Sequence, residues 1–372
     1  MQLQQSFMFE LMERDDFEEV VFFQDRRVGL KAVVAIHSTA LGPALGGTRI
    51  WNYESEVEAV LDALNLAKAM TLKAAAAELN YGGGKAVIIG DPKKIKSEQL
   101  LRSYGRFIQS LCGRFVTGKD VGTTVEDVRV MSFETEYVTG VELDPSPFTA
   151  YGVLRGIKAS LKYVFGDDSL EGVRVAVQGV GKVGGELVNL LVESGAKVVA
   201  SDVDREKLKR ISKLGVETVK PNEIYSANCD VFSPCALGGV LNDLTIRKLR
   251  CKIVAGAANN QLEKEKIADD LARREILYAP DFIINAGGLI AVAYEYECRR
   301  KGKEIKESSL MGKIEKIGDR LMEIYRISEE LLDSSGRRIS THKAAKMWAV
   351  ERMEKIAGMR RMFVPKSKIY SR

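Results

Sequence analysis

At 372 residues the chain is long enough for two cores, and its 45% hydrophobic and 29% charged residues exclude a disordered or low-complexity protein. No apolar run approaches the roughly 18 residues of a membrane span, so no membrane partner is expected. The net charge is +5, with Lys355, Arg360, Arg361, Lys366, Lys368 and Arg372 following Glu354 without an acid; with no nucleic-acid motif beside it, this tail reads as a solvated or interface-lining end.

The first residues lack the basic and apolar regions of a signal peptide. The five cysteines are scattered, with no CxxC, and read as free thiols of a reducing, cytoplasmic compartment. Only two histidines are present, His37 and His342, which argues against a Cys-His nucleophile at Cys112 and against a metal site.

Along the chain, Glu18 to Phe23 and Arg27 to His37 predict strands. Gly42 to Arg49 predicts a turn-rich segment with a close-approach glycine pair. Ser55 and Glu58 match a capping box, and Val57, Val60, Leu61, Leu64 and Ala67 continue it at helical spacing. Ala74 to Ala77 extends or restarts that helix, which carries Lys68 and Lys73.

Next comes Gly82-Gly83-Gly84-Lys85, read as a loop before an apolar strand from Ala86 to Gly90. It is not a phosphate loop, because Leu79 and Ala86 stand where that motif needs Gly and Ser or Thr. Three glycines leave bare backbone where something must come close. Lys85 beside that patch, with Lys73 as a second cation in a poorly solvated place, predicts a lysine whose pKa falls far enough for it to act as a base. Lys68 reads as solvated helix charge. Leu101 to Leu111 predicts a helix and Arg114 to Thr117 a strand. Asp120 between Gly118 and Gly122 either faces a cleft or caps a turn.

Pro145 and Pro147 predict a break in regular structure and a domain boundary, placing a first domain at 1–144 and a second at 145–330, with helices about 331–372 packing back on the first. The second domain alternates helix and strand. Thr149 to Lys162 reads as helix and Val173 to Gln178 as strand, followed by Gly179-Val180-Gly181-Lys182-Val183-Gly184, a helix and the strand Lys197 to Asp202. This is G-x-G-x-x-G in the context it requires, with an acid about twenty residues on. It predicts a doubly wound Rossmann domain whose glycines let a pyrophosphate reach a helix N-terminus. Asp202 would bind the adenosine ribose and repel a 2′-phosphate, favouring NAD. A methyl donor bearing adenosine is the alternative ligand. Short strands at Val231-Phe232, Lys252 to Ala255 and Ile276 to Tyr278 complete the sheet. Helices follow from Asn285 to about Arg299, from about Ser308 to Glu330 and from near Thr341 to Ala357, which Gly358 ends.

The segments 42–49, 67–92, 120–124, 145–153, 176–184, 234–239, 257–262 and 280–288 together resemble the glutamate, leucine, phenylalanine and valine dehydrogenases, nearest the leucine branch. The resemblance covers about residues 10 to 355. It implies an α/β chain of two domains with the active-site cleft between them, and reversible oxidative deamination of an L-amino acid to a 2-oxo acid and ammonium by a homo-oligomer. It implies that Lys73 binds the substrate carboxylate, that Lys85 activates water and that Asp120 carries protons to and from nitrogen. Asn259 or Asn260 would position the substrate or the nicotinamide ribose, and Thr149, Asp202, Ala236 and Asn260 would contact the cofactor. The glutamate enzymes carry a lysine where this chain has Leu45, beside Gly46. With Met70, Leu289 and Val292, Leu45 implies an apolar pocket that rejects a second carboxylate. Branched aliphatic substrates are expected, aromatic ones being the alternative: Gly118 stands where the leucine enzymes usually have alanine, and Lys119 where the family often has glutamate. Two further readings are a catalytically inactive nucleotide-binding protein of the same fold and a nucleic-acid binder acting through the basic tail.

Overall fold

The computed structural model describes residues 7–358, so the basic tail beyond Gly358 lies outside the described residues. The chain forms two compact units. One runs through Leu143 and adds Glu295–Lys303 and the chain from Ala349; the other comprises Asp144–Tyr294 and Glu304–Trp348.

The first unit contains α1 (Phe7–Asp15), β1 (Glu19–Asp25), β2 (Leu30–Ser38), β3 (Ala44–Trp51), α2 (Glu56–Ala76), β4 (Gly82–Ile89), α3 (Pro92–Ile95), α4 (Glu98–Ser110), β5 (Phe115–Lys119) and α5 (Val125–Ser132). Its sheet runs β1-β2-β4-β3-β5, with β3 parallel to both neighbours and the β1-β2 and β2-β4 pairs antiparallel. Alternate side chains serve opposite faces. Val33, Ala35 and Val87 pack on Ala59, Val60 and Ala63 of α2, while Val34, Ile36 and Ile88 pack on Leu100, Tyr104 and Ile108 of α4.

Two expectations change here. The glycine run is the first half of central strand β4, and Gly42 to Arg49 is largely strand β3. The glycines do admit a close neighbour, but it is the protein itself. A Cβ on Gly83 would lie 2.1 Å from the Thr71 backbone nitrogen in α2, and one on Gly84 would lie 2.8 Å from the Phe115 ring. A Cβ on Gly46 would lie 1.8 Å from the Gly84 carbonyl oxygen. Helix α2 starts where expected, with Ser55 Oγ accepting from Glu58 N, but Glu58 turns to Glu54 N rather than to the cap. Ala74 to Ala76 extends α2 rather than restarting it.

The second unit contains α6 (Pro145–Phe165), β6 (Arg174–Gln178), α7 (Lys182–Glu193), β7 (Lys197–Ser201), α8 (Arg205–Ser212), β8 (Glu217–Thr218), β9 (Val231–Pro234), β10 (Ile253–Val254), α9 (Lys266–Arg273), β11 (Leu277–Tyr278), α10 (Asp281–Ile284) and α12 (Glu307–Glu330). Helix α11 (Gly287–Arg300) starts in this unit and ends in the first, whereas α13 (Thr341–Ala357) passes from it into the first at Ala349. The sheet is all parallel in the order β11-β10-β9-β6-β7-β8. The chain winds outward from β6 in one direction and then returns to its other side, which is doubly wound topology.

The prolines do not break structure. Pro145 and Pro147 sit in the first turn of α6, where backbone N–H groups have no intrahelical acceptor to lose. Asp144 caps the helix by accepting from Ser146 N at 3.0 Å. Helices α1, α3, α5, α8, α9 and α10 were not among the sequence expectations. All are short, too short to show a long apolar period.

Candidate active site

In the first unit, register brings three charged groups together. Arg49 of β3 pairs with Val87 of β4, two residues past Lys85, so Lys85 and Arg49 are diagonal neighbours on the face that α2 covers. Thr48 pairs with Lys119, which sets Asp120 beyond the end of β5, beside Arg49. Gly47 makes room for it: a Cβ there would lie 2.9 Å from the Asp120 Cβ. The Asp120 N–H donates to Thr123 Oγ1 at 2.8 Å, and that hydroxyl donates to the Thr48 carbonyl at 3.0 Å, which fixes the turn.

Lys85 is 4% exposed, and its Nζ lies 2.9 Å from Asp120 Oδ1. Burial pushes its pKa down; Asp120 opposes this, while the positive charge of Arg49 adds to it. Asp120 sits below the usual carboxylate range: burial alone would raise it, but Lys85 and Arg49 together outweigh that. The lowered lysine was expected, with Lys73 as the neighbouring cation; the largest cationic influence is Arg49. Lys73 occupies the last turn of α2, half-buried, and Leu45, Gly46 and Met70 belong to the same unit.

Arg49, Asp62 and Tyr53 were missed by sequence reasoning. Arg49 Nε donates to Asp120 Oδ2 at 2.9 Å, and its Nη1 donates to both oxygens of Asp62, at 2.9 and 3.2 Å. Tyr53 Oη donates to Asp62 at 2.6 Å. A signal was present: Arg49 is a charge inside a strand-forming run, in step with Gly47.

In the second unit, the three fingerprint glycines each meet a different demand. Gly179 has φ +93°, and a Cβ there would lie 2.7 Å from the Ala236 Cβ. Gly184 packs its bare face on the Gly179 carbonyl, which a Cβ would approach to 2.0 Å. A Cβ on Gly181 would meet nothing within 4 Å, and Gly181 caps α7 without a side-chain hydrogen bond. The open space and the uncapped N–H groups of α7 fit a pyrophosphate. Lys182 and Val183 form the first turn of α7. Asp202 follows β7; Oδ2 accepts from Val180 N and Oδ1 from Asp204 N, both at 2.8 Å, so the carboxylate is fixed beside the loop. Ala236, beyond β9, stands against Gly179 at the point where the strand order reverses.

Asn259 and Asn260 are exposed on the loop after β10, and Asn260 has φ +50°. Buried Asn285 holds this loop: its Nδ2 donates to the Ala257 and Ala258 carbonyls and to Asn259 Oδ1, at 3.0–3.3 Å. Gln261 Nε2 donates to the Gly256 and Ala258 carbonyls at 2.9 and 3.0 Å. Thr149 Oγ1 donates to the Pro145 carbonyl at 2.9 Å and lies against Gly288. Leu289 and Val292 are half-buried on α11. Among the described residues no group of three or more His, Cys, Asp and Glu is placed to hold a metal ion, and no helix is long and apolar enough to cross a membrane.

The chain matches the family model of the Glu/Leu/Phe/Val dehydrogenase dimerisation domain over residues 18–137. It matches the Glutamate/Leucine/Phenylalanine/Valine dehydrogenase model over 140–204 and 200–360. It is 49% identical over 364 residues to leucine dehydrogenase of Thermoactinomyces intermedius, covering 96% of each chain. It is 43% identical over 362 residues to phenylalanine dehydrogenase of Caldalkalibacillus thermarum, covering 94% of this chain and 95% of that one. The crystal structure of L-tryptophan dehydrogenase from Nostoc punctiforme superposes with a TM-score of 0.80 at 44% identity, over 94% of this chain and 99% of that one.

Proposed function

The chain belongs to the Glu/Leu/Phe/Val dehydrogenase family, and from that premise we propose that it catalyses reversible NAD-dependent oxidative deamination of branched-chain L-amino acids. It is an amino acid dehydrogenase, an oxidoreductase acting on CH–NH2 donors. The observation that carries the chemistry is the 2.9 Å contact between buried Lys85 and half-buried Asp120. The relatives' names support the substrate class.

In the proposed reaction, amino acid, NAD⁺ and water give 2-oxo acid, ammonium, NADH and a proton. Bound NAD supplies the hydride acceptor for the hydrogen on substrate Cα, leaving an imine. Lys73 holds the substrate carboxylate as a point charge. Lys85, whose ammonium form burial disfavours, takes a proton from water as oxygen adds to the imine carbon. Asp120 takes a proton from the substrate ammonium before hydride transfer and returns it to nitrogen, which leaves as ammonia when the carbinolamine collapses. Asn259 or Asn260 orients substrate or ribose. The remaining cofactor contacts are assigned to Thr149, Ala236 and the loop Gly179 to Gly184.

Asp202, fixed beside the phosphate loop, supports NAD over NADP, since its charge would repel a 2′-phosphate. Leu45, Met70, Leu289 and Val292 are proposed to line an apolar pocket in which a glutamate side chain would leave a carboxylate unpaired. Aromatic substrates are the second reading, favoured by similarity to phenylalanine and tryptophan dehydrogenases. Gly118 gives that reading limited support: an alanine methyl there would reach the Thr139 carbonyl at 3.2 Å, so the space it leaves is bounded by the protein's own backbone. A cytoplasmic homo-oligomer paired through the first unit is part of the proposal. The test is NADH formation from a panel of L-amino acids with NAD⁺ and NADP⁺. Branched aliphatic substrates with NAD⁺ are expected to lead; inertness toward every apolar amino acid with both cofactors would remove the proposal.

A further inference from the structure

The Lys85–Asp120 pair does not hold its own geometry. Asp120 follows β5 in a turn containing Gly122 at φ +81°, and a carboxylate there is free to rotate unless both oxygens are engaged. Oδ1 meets Lys85 and Oδ2 meets Arg49. We propose that Arg49 is a positioning residue of this site, the group that fixes the direction in which Asp120 presents its oxygen to Lys85, while Asp62 and Tyr53 hold Arg49 in turn.

The guanidinium suits this role because its fork lies in one plane. Nε takes Asp120 and Nη1 takes both oxygens of Asp62, an arrangement a lysine point charge cannot reproduce. Arg49 and Asp62 are each about three-quarters buried, their side chains 23% and 26% exposed, so the contacts are stronger than surface pairs. Tyr53 Oη closes the chain on Asp62 Oδ2 at 2.6 Å.

The arrangement also sets charge. The groups facing Lys85 are Arg49 from β3, Asp120 from the end of β5 and Asp62 from α2, which also carries Lys73; Tyr53 stands behind Asp62, and β2 presents apolar Ala35. Arg49 disfavours the Lys85 ammonium, whereas Asp62 favours it. Opposite signs from two mutually bonded residues give a signature that a purely structural role does not.

The inference rests on the deamination reading, and its experiment separates the two. The pH dependence of kcat/KM is measured for wild type, Arg49→Gln, Arg49→Lys and Asp62→Asn, beside a ¹⁵N titration of the Lys85 Nζ that needs no turnover. In Arg49→Gln the acid limb and the titration should both move up by about one pH unit, with kcat/KM at neutral pH down at least about tenfold. In Asp62→Asn, where the amide oxygen still accepts from Arg49 and Tyr53, both should move down. Arg49→Lys should keep the limb in place yet lose kcat rather than raise KM. Shifts of Arg49→Gln and Asp62→Asn in the same direction, or an Arg49→Lys enzyme equal to wild type, would overturn the inference. Should Arg49→Gln fail to fold, Asp62→Asn decides by direction. A wild-type protein inert to all amino acids would sink the deamination reading alone, since the titration still judges Arg49.

Discussion

Gly83→Ala tests whether the glycine run exists for packing. The new Cβ would lie 2.1 Å from both the backbone nitrogen and Oγ1 of Thr71, and 2.5 Å from its Cα. Ordinary contact begins near 3.4 Å, so β4 or α2 must give by about 1.3 Å, and the obstacle is backbone rather than a flexible tip. Overpacking of this kind costs about 3 kcal/mol or more. At roughly 2–4 °C per kcal/mol, the melting temperature should fall by about 6–12 °C. Lys85 lies two residues along the same face, and a displacement near 1 Å should lower turnover about 100-fold even in the folded fraction. Gly118→Ala is the internal control: its Cβ meets the Thr139 oxygen at 3.2 Å and Cγ2 at 3.4 Å, so the change should stay within about 1 kcal/mol. Calorimetry and steady-state NADH formation on both variants decide the matter. A Gly83→Ala protein melting within a degree or two of wild type with unchanged kcat would refute the packing argument.

Lys85→Ala should lower kcat by roughly 10²–10⁴-fold while NADH binding, followed by fluorescence, stays near wild type; equal turnover would remove Lys85 from the chemistry. Asp202→Ser should shift the NAD⁺/NADP⁺ preference by at least about tenfold toward NADP⁺, read as the ratio of kcat/KM values. His37 is 9% exposed, its Nδ1 2.8 Å from Thr71 Oγ1 and its Nε2 3.0 Å from the Asp15 carbonyl oxygen, and burial pushes its pKa down. Its folded pKa is then below the unfolded value of about 6.5, so the unfolded state binds the extra proton and stability declines as pH falls below that value. His37→Asn should reduce the part of this decline that begins near the unfolded histidine pKa, as read in denaturant titrations; His342, also lowered by burial, adds to the same part.

The second unit was legible because its signal is local in sequence. A strand, three glycines at fixed offsets, a helix and an acid form the fingerprint within one stretch, and the structure gives each glycine its own contact or open space. Lys85 and Asp120 could be picked out by residue type, and their partnership came from resemblance. The strand state of the glycine run was not legible, because glycine signals a turn unless a packed neighbour is known. The prolines of α6 misled for a related reason: their cost depends on whether the missing N–H had an acceptor.

Sequence alone determined that this chain carries a dinucleotide fingerprint, a lysine beside bare backbone and the ordered motifs of an amino acid dehydrogenase. Only tertiary structure decided that Arg49 rather than Lys73 is the main cation acting on Lys85, and that Asp62 and Tyr53 stand behind it. Chemical identity is written residue by residue. The field at Lys85 is a sum over β3, β5 and α2, and it exists only once strand register has placed those charges on one face.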